Sequence, residues 1–410
     1  MKKLLLVLLI LSLFINHLNA NEKDLQIIQK DKKEYRLLDK ESIQTRQQSQ
    51  KYDWISPIDL SGNIGRNHSF SDENSRNLNN KNTKSASIGF TQSIFESGGI
   101  GFKMDYADNR FKYEMLSWEN QNSQLIYTIY NTLLDIKKLK LEINQNDYRI
   151  VNKDIELIIK KIQYEAGKTD IIELNNAIMS KNLILKEEIA LKNSLKEKEQ
   201  ELAKYTDLKY DEIEILDFQE TNKEIFLDKN YSILEADAKV EMLNSEYKIK
   251  KSQYLPKLSL SAKASYSNQD EKFNSMINDT NKDDATSSGS LILSIPLYDY
   301  TKSSKIQESK IEVLKQKALV NDLKNETAFE YEQIFTKIDT YLKQNETINK
   351  NIKLYEELIG ANQISSEAGM TSKYDLEILE NTKTINEFDI LINKINILQQ
   401  YAKLYFKIKN

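Results

Sequence analysis

Polar and apolar residues alternate with a period of two in four short stretches of this chain, and follow the three-and-four spacing of helices through most of the rest. The clearest alternation sets Leu258, Leu260, Ala262, Ala264 and Tyr266 on one face against Ser259, Ser261, Lys263 and Ser265 on the other. A second stretch follows a polar loop at 268–288, with Leu291, Leu293 and Ile295 against Ser290, Ile292 and Ser294. In the first half, Leu60 to His68 and Ala86 to Phe95 bracket a loop rich in Asn, Ser and Lys. Each pair predicts a hairpin with a long hydrophilic tip. Pro57, Pro256 and Pro296 stand at the edges of these stretches, where a strand tolerates proline.

Strands of about ten residues match what a tilted strand needs to cross a bilayer. Four strands cannot close on themselves, and open edges are not tolerated in lipid, so closure would have to come from other copies of the chain. A small sheet capping a coiled coil outside any membrane is the alternative.

Two runs of some sixty residues, roughly 104–165 and 302–366, hold almost no glycine and no proline. Sixty helical residues extend about 90 Å. The second run carries Tyr331, Ile334, Ile338, Tyr341, Asn345, Ile348, Ile352, Tyr355 and Ile359 at heptad spacing, with one polar member. The first carries Ile126, Ile129, Leu133 and Ile136, then Ile143, Ile150, Leu157 and Tyr164, a weaker seam. Both runs close on a shared phrase, Glu165-Ala166-Gly167-Lys168-Thr169 and Glu367-Ala368-Gly369-Met370-Thr371, offset by 202 residues. The strand regions repeat at a similar offset, so the chain is an internal duplication. Glycine there would end one helix in the left-handed conformation, and Thr, Ser or Asp would cap the next.

The domains expected are a signal peptide at 1–20, an N-terminal helix at 21–56, a first repeat at 57–218 ending in a connector from 206, and a second repeat at 219–410 that opens with a helix from about 229 to 253. Ala236, Val240, Leu243 and Tyr247 line one face of that opening helix. The leader reading rests on Lys2-Lys3, the apolar run from Leu4 to Ile15 and the small Ala20, after which the cut is placed. A retained anchor is the other reading of that segment.

Composition narrows the chemistry. The 410 residues contain no cysteine, which removes disulfides, thiolate metal sites and a lipid-bearing cysteine. Loss of Lys2 and Lys3 takes the formal charge from −4 to −6, which gives nucleic-acid binding no support. His68 is the single histidine beyond the leader, so no catalytic triad and no histidine-rich metal cluster can be built, and Gly98-Gly99 lacks the pattern of a phosphate loop. No enzyme activity and no cofactor are expected. Trp54 and Trp118 are candidates for an interfacial aromatic belt, or simply for packing.

The duplicated plan, the lead-in Tyr254-Leu255-Pro256-Lys257-Leu258-Ser259-Leu260, the exit Ile295-Pro296-Leu297-Tyr298-Asp299 and the Ala-Gly-x-Thr turns together resemble the TolC-like outer-membrane efflux family. That resemblance implies a mostly α fold with a small β part. It implies a homotrimer, in which three chains lend four strands each to one twelve-stranded outer-membrane β-barrel continued by a periplasmic α-helical coiled-coil tunnel. It also implies a passive exit duct for efflux or type I secretion, served by an inner-membrane transporter and a periplasmic adaptor protein.

Carried over residue by residue, the family's adaptor-docking and gating turns fall on Ala166, Gly167, Lys168 and Thr169, and on Ala368, Gly369, Met370 and Thr371. Glu173, Asp375 and Glu377 fall where a ring of acids would line the pore in a trimer, although Glu173 and Asp375 also suit a helix N-terminus through its dipole. The family's basic residue of the second turn would align near Thr371, and its acidic constriction near Ile378, between Glu377 and Glu380. Two other classes compete: an exported structural or adhesive coiled-coil protein that forms no pore, and the periplasmic adaptor itself, which expects one helical hairpin rather than two equal halves.

Overall fold

With so few helix-breaking residues, the chain runs into long helices wherever it is not forced into strands. The computed structural model describes residues 25–69, 79–214, 216, 218, 220–271, 281–367 and 372–409. The leader and the second turn, Ala368 to Thr371, lie outside the described residues. After a 3-10 turn at Leu25–Ile27, the elements are α1 (Lys30–Tyr52), β1 (Asp59–Ser69), β2 (Asn79–Phe95), α2 (Gly99–Glu165), α3 (Ile171–Leu202), α4 (Lys223–Asp228), α5 (Tyr231–Ser252), β3 (Lys257–Glu271), β4 (Asn281–Ser294), α6 (Lys302–Glu367) and α7 (Lys373–Tyr405). Strand, strand, long helix and shorter helix thus follow one another twice. The chain divides into two units, whose described residues fall within Glu41–Met115 with Glu235–Val320, and within Met1–Lys40, Leu116–Leu234 and Asn321–Asn410.

The first of these units holds a four-stranded antiparallel sheet in the order β1-β2-β3-β4. Its register sorts the side chains by polarity. Leu60 pairs with Ile88, Ile88 with Ala264, Leu260 with Leu291 and Tyr266 with Ala285, all on one face. Ser61, Ser87, Ser265 and Thr286 form a row on the other. Hydroxyls meet across that polar face, Ser61 to Ser87 at 2.8 Å, Thr91 to Ser261 at 3.0 Å and Ser265 to Thr286 at 2.8 Å. The apolar face is bare: Leu60 is 78% exposed, Ile64 84% and Leu291 68%. Beneath the sheet, the neighbouring helix segments are joined by Arg46 to Glu114 at 2.9 Å, Lys51 to Asp108 at 3.1 Å and Asn109 to Ser245 at 3.0 Å. Ala236 and Val240 of α5 are buried on the face expected of them.

The strands outrun their alternation. Of the stretch 268–288, expected as a loop, the described residues are ladder: β3 continues to Glu271 and β4 begins at Asn281. Backbone N–H and C=O groups carry the pairing there, and polar side chains on both faces erase the hydropathy signal without weakening the ladder.

The other unit is helical. Its core gathers Phe226, Ile334, Ile338, Leu404 and Ile408, with Tyr331, Phe335, Ile397 and Tyr401 against it. The C-terminus is tied in by backbone hydrogen bonds from Tyr231 N–H to Lys407 O at 2.9 Å and from Lys409 N–H to Lys229 O at 2.8 Å. Ile129, Leu133 and Ile136 are fully buried, so the seam that looked weaker in the sequence holds the deepest packing. Beside it, the ring of Tyr130 packs 5.9 Å from Phe218 of the connector and 5.5 Å from Phe406. Trp118 is buried here too, its Nε1 donating to Arg36 O at 2.8 Å, which makes it a packing residue rather than part of an interfacial belt. Arg36 in turn donates to Asn122 Oδ1 at 2.6 Å, Gln121 Oε1 at 2.8 Å and Trp118 O at 2.9 Å. Those bonds compensate the burial of its charge.

Candidate functional site

The turn between α2 and α3 is built by hydrogen bonds that end one helix and start the next. Gly167 N–H donates to Tyr164 O at 2.9 Å and Lys168 N–H reaches back five residues to Gln163 O at 2.8 Å. That pair of bonds is the Schellman closure, and it requires the residue at the reversal to take positive φ. Gly167 supplies it at φ 69°. Asp170 then caps α3, its Oδ1 accepting from Glu173 N–H at 2.9 Å. Ser372 caps α7 in the same way, its Oγ accepting from Tyr374 N–H at 3.2 Å. Each cap satisfies a backbone donor that the helix cannot.

Ala166, Gly167 and Lys168 are exposed and Thr169 is half-buried. Around them stand large apolar side chains in solvent, with Ile162, Tyr164, Ile171 and Ile172 all exposed. Of the expected acids, Glu173 accepts from Lys160 Nζ at 3.0 Å, bridging α3 to α2 just behind the turn. Asp375 and Glu377 are exposed near the start of α7 and, among the described residues, have no ion-pair partner. The fold therefore groups Ala166 to Thr169 with Glu173, and sets Asp375 and Glu377 on a different helix.

Further along the helices from Gly167, polar side chains link them in a ladder. Gln145 Nε2 donates to Asp389 Oδ1 at 2.7 Å and to Ile385 O at 2.9 Å. Asn381 Nδ2 donates to Asn152 Oδ1 at 2.8 Å, and Gln399 Nε2 to Asp135 Oδ1 at 2.6 Å. Lys181 pairs with Asp154 at 2.5 Å and Lys383 with Glu356 at 2.9 Å. Nearer the C-terminus, Glu330 receives Lys403 at 2.8 Å and Lys407 at 2.5 Å. Burial alone would push the Glu330 carboxyl up, yet the two ammonium groups bring it below its ordinary value.

None of these partners stood out in the sequence. Lys160 lies thirteen residues before Glu173, a separation that brings two residues together only once the glycine turn is placed. Among the described residues no group of His, Asp or Glu side chains is arranged to hold a metal ion, and no helix is long and apolar enough to cross a membrane.

Residues 224–403 match the family described as outer membrane efflux protein. None of the curated proteins matches the chain by sequence. Solved structures share its fold at low identity. The CmeC outer membrane channel of Campylobacter jejuni aligns with a TM-score of 0.69 at 12% identity, over 93% of this chain and 86% of that one. The outer membrane protein VceC of Vibrio cholerae gives 0.71 at 12% identity, over 93% and 94%. The MtrE outer membrane channel of Neisseria gonorrhoeae gives 0.67 at 11% identity, over 94% and 88%. The resemblance to TolC-like outer-membrane efflux proteins that the repeated motifs carried is thus met both by the family match and by the fold.

Proposed function

We propose that this protein is a trimeric outer-membrane channel: the passive exit duct of a tripartite efflux or type I secretion system, reaching into the periplasm to an adaptor and an inner-membrane pump. The observation that carries the reading is the two-faced sheet with two open edges. Its apolar face, Leu60, Ile64, Ile88 and Leu291, is suited to lipid, and its hydroxyl-lined face is suited to water. Both β1 and β4 are edge strands of this sheet, and in a bilayer an unpaired edge would cost several kcal/mol for each bare polar group. Pairing β4 of one copy with β1 of the next removes every edge. Three copies give twelve strands and a closed wall.

The glycine turns, in the helical unit, serve as the docking and gating elements. The exposed Ile162, Tyr164, Ile171 and Ile172 around Gly167 form an apolar patch of the kind that partner proteins cover. The duct spends no energy of its own and performs no chemical step; the pump selects and drives the cargo. The test is to extract the full chain from outer membranes in mild detergent, measure its mass and record conductance in planar bilayers. Trimers with stable single-channel steps are expected. A monomer that never conducts, or a protein absent from carbonate-washed outer membranes, overturns the reading.

A further inference from the structure

One row of the sheet carries opposite charges on its polar face. Asp59 pairs in register with Gly89, Gly89 with Lys263 and Lys263 with Ser288. The backbones that carry the carboxylate and the ammonium therefore stand two strands apart, about 10 Å, on either side of a glycine. Gly89 is held there by close packing. A Cβ at this position would lie 3.0 Å from Ala262 O and 3.3 Å from Lys263 Cα, both backbone atoms. Absence of a side chain opens a groove of about 440 Å³ over the glycine, with Asp59 at one side and Lys263 at the other. The rows above and below are neutral, because Ser61 bonds Ser87 and Thr91 bonds Ser261, hydroxyl to hydroxyl. Among the described residues neither Asp59 nor Lys263 is ion-paired, and both are exposed.

We propose that Asp59 and Lys263 are specificity residues of the channel: an opposed charge pair, present once in each copy, that keeps the sheet-lined passage from favouring either sign of ion at that level. The proposal rests on the duct reading above, since only there does the polar face line a passage. Ringed charges of one sign make a pore prefer the opposite ion, and two rings of opposite sign in one row offset each other. Distance decides which groups count. The next described charges on this face are Asp284, four residues along from the Lys263 row, and Lys257, six residues the other way. They lie roughly 13 and 20 Å off, beyond the screening length of about 8 Å at physiological ionic strength, whereas an ion in the groove passes within that length of both members of the pair.

The test uses the full chain in planar bilayers under a potassium chloride gradient. Lys263→Gln is expected to shift the reversal potential toward potassium preference and Asp59→Asn toward chloride preference. The double variant should return toward the unmodified channel. Because the protein has no cysteine, Lys263→Cys provides an independent route: labelling the assembled channel with an anionic thiol reagent should strengthen potassium preference, and a cationic one should restore the original value. Channels that conduct normally while the single variants and the labelled cysteine leave the reversal potential unmoved, or move it in one common direction, overturn the charge pair alone. A parent protein that never conducts overturns the duct reading, and this inference with it.

Discussion

Asn393 donates through Nδ2 to Oδ1 of Asn345 at 2.9 Å, joining α7 to α6 at the one polar position of an otherwise apolar seam. Asn393 is buried, so this bond offsets a desolvation that leucine would never incur. Its value is in alignment: a polar pair inside a seam bonds in one register and loses that bond in any other.

Replacing Asn393 with Leu should therefore strand the Asn345 amide and lower stability by roughly 1–2 kcal/mol. Replacing both with Leu should recover or exceed the original stability, at the cost of a single helix alignment. Thermal unfolding of the detergent-extracted chain measures the first effect. Disulfide trapping between cysteines introduced on α6 and α7 measures the second, with several registers expected in the double variant.

Glu330 gives stability a defined pH dependence. Its carboxyl, held by Lys403 and Lys407, titrates below its ordinary value, so the contribution is present at neutral pH and is lost as pH falls through that lowered value. Glu330→Gln should cost roughly 1–3 kcal/mol at pH 7 and flatten the acid limb of the midpoint-versus-pH curve. An acid limb unchanged in the variant would mean that other carboxylates set it.

Gly167 tests the turn through its backbone alone, since an added Cβ would meet nothing within 4 Å. At φ 69° a branched residue is penalised by about 1–2 kcal/mol, while asparagine is tolerated. Gly167→Val should impair efflux or adaptor cross-linking with trimers intact, and Gly167→Asn should restore both. Gly369→Val should act in parallel. Normal efflux in both valine variants would remove the turns from the docking and gating role.

The acids at the helix starts make a separate prediction. Glu173→Gln combined with Asp375→Asn should weaken cation preference in bilayer recordings, the Asp375 change contributing more because Glu173 is already engaged by Lys160. An unchanged reversal potential would leave both residues as helix-end stabilisers only.

The alternation from Leu258 to Tyr266 and the two glycine phrases were enough to locate the sheet and the helix reversal at Gly167. What stayed hidden has specific causes. The ends of β3 and β4 carry polar residues on both faces, so a backbone ladder left no trace in hydropathy. The short α4, Lys223–Asp228, has six residues, too few for a helical period to register. Nothing in the sequence marks Arg36; the arrival of Trp118, Gln121 and Asn122 makes it a buried anchor. Tyr130 is buried in the same way, against Phe218 and Phe406, which are distant in the chain. The groove at Gly89 needed the register itself, because Asp59 and Lys263 share a row only after β1, β2 and β3 are aligned.

The unpaired ladders along β1 and β4 have a consequence for a newly made chain, if copies join as proposed. An open strand edge is a template for pairing with other extended chains, so the solitary molecule would be an aggregation hazard and its yield should depend on how many siblings are made alongside it. In the proposed trimer a co-expressed copy crippled in β4 would still offer its β1 and poison the assemblies it joined: damage to one allele would be felt by the healthy one.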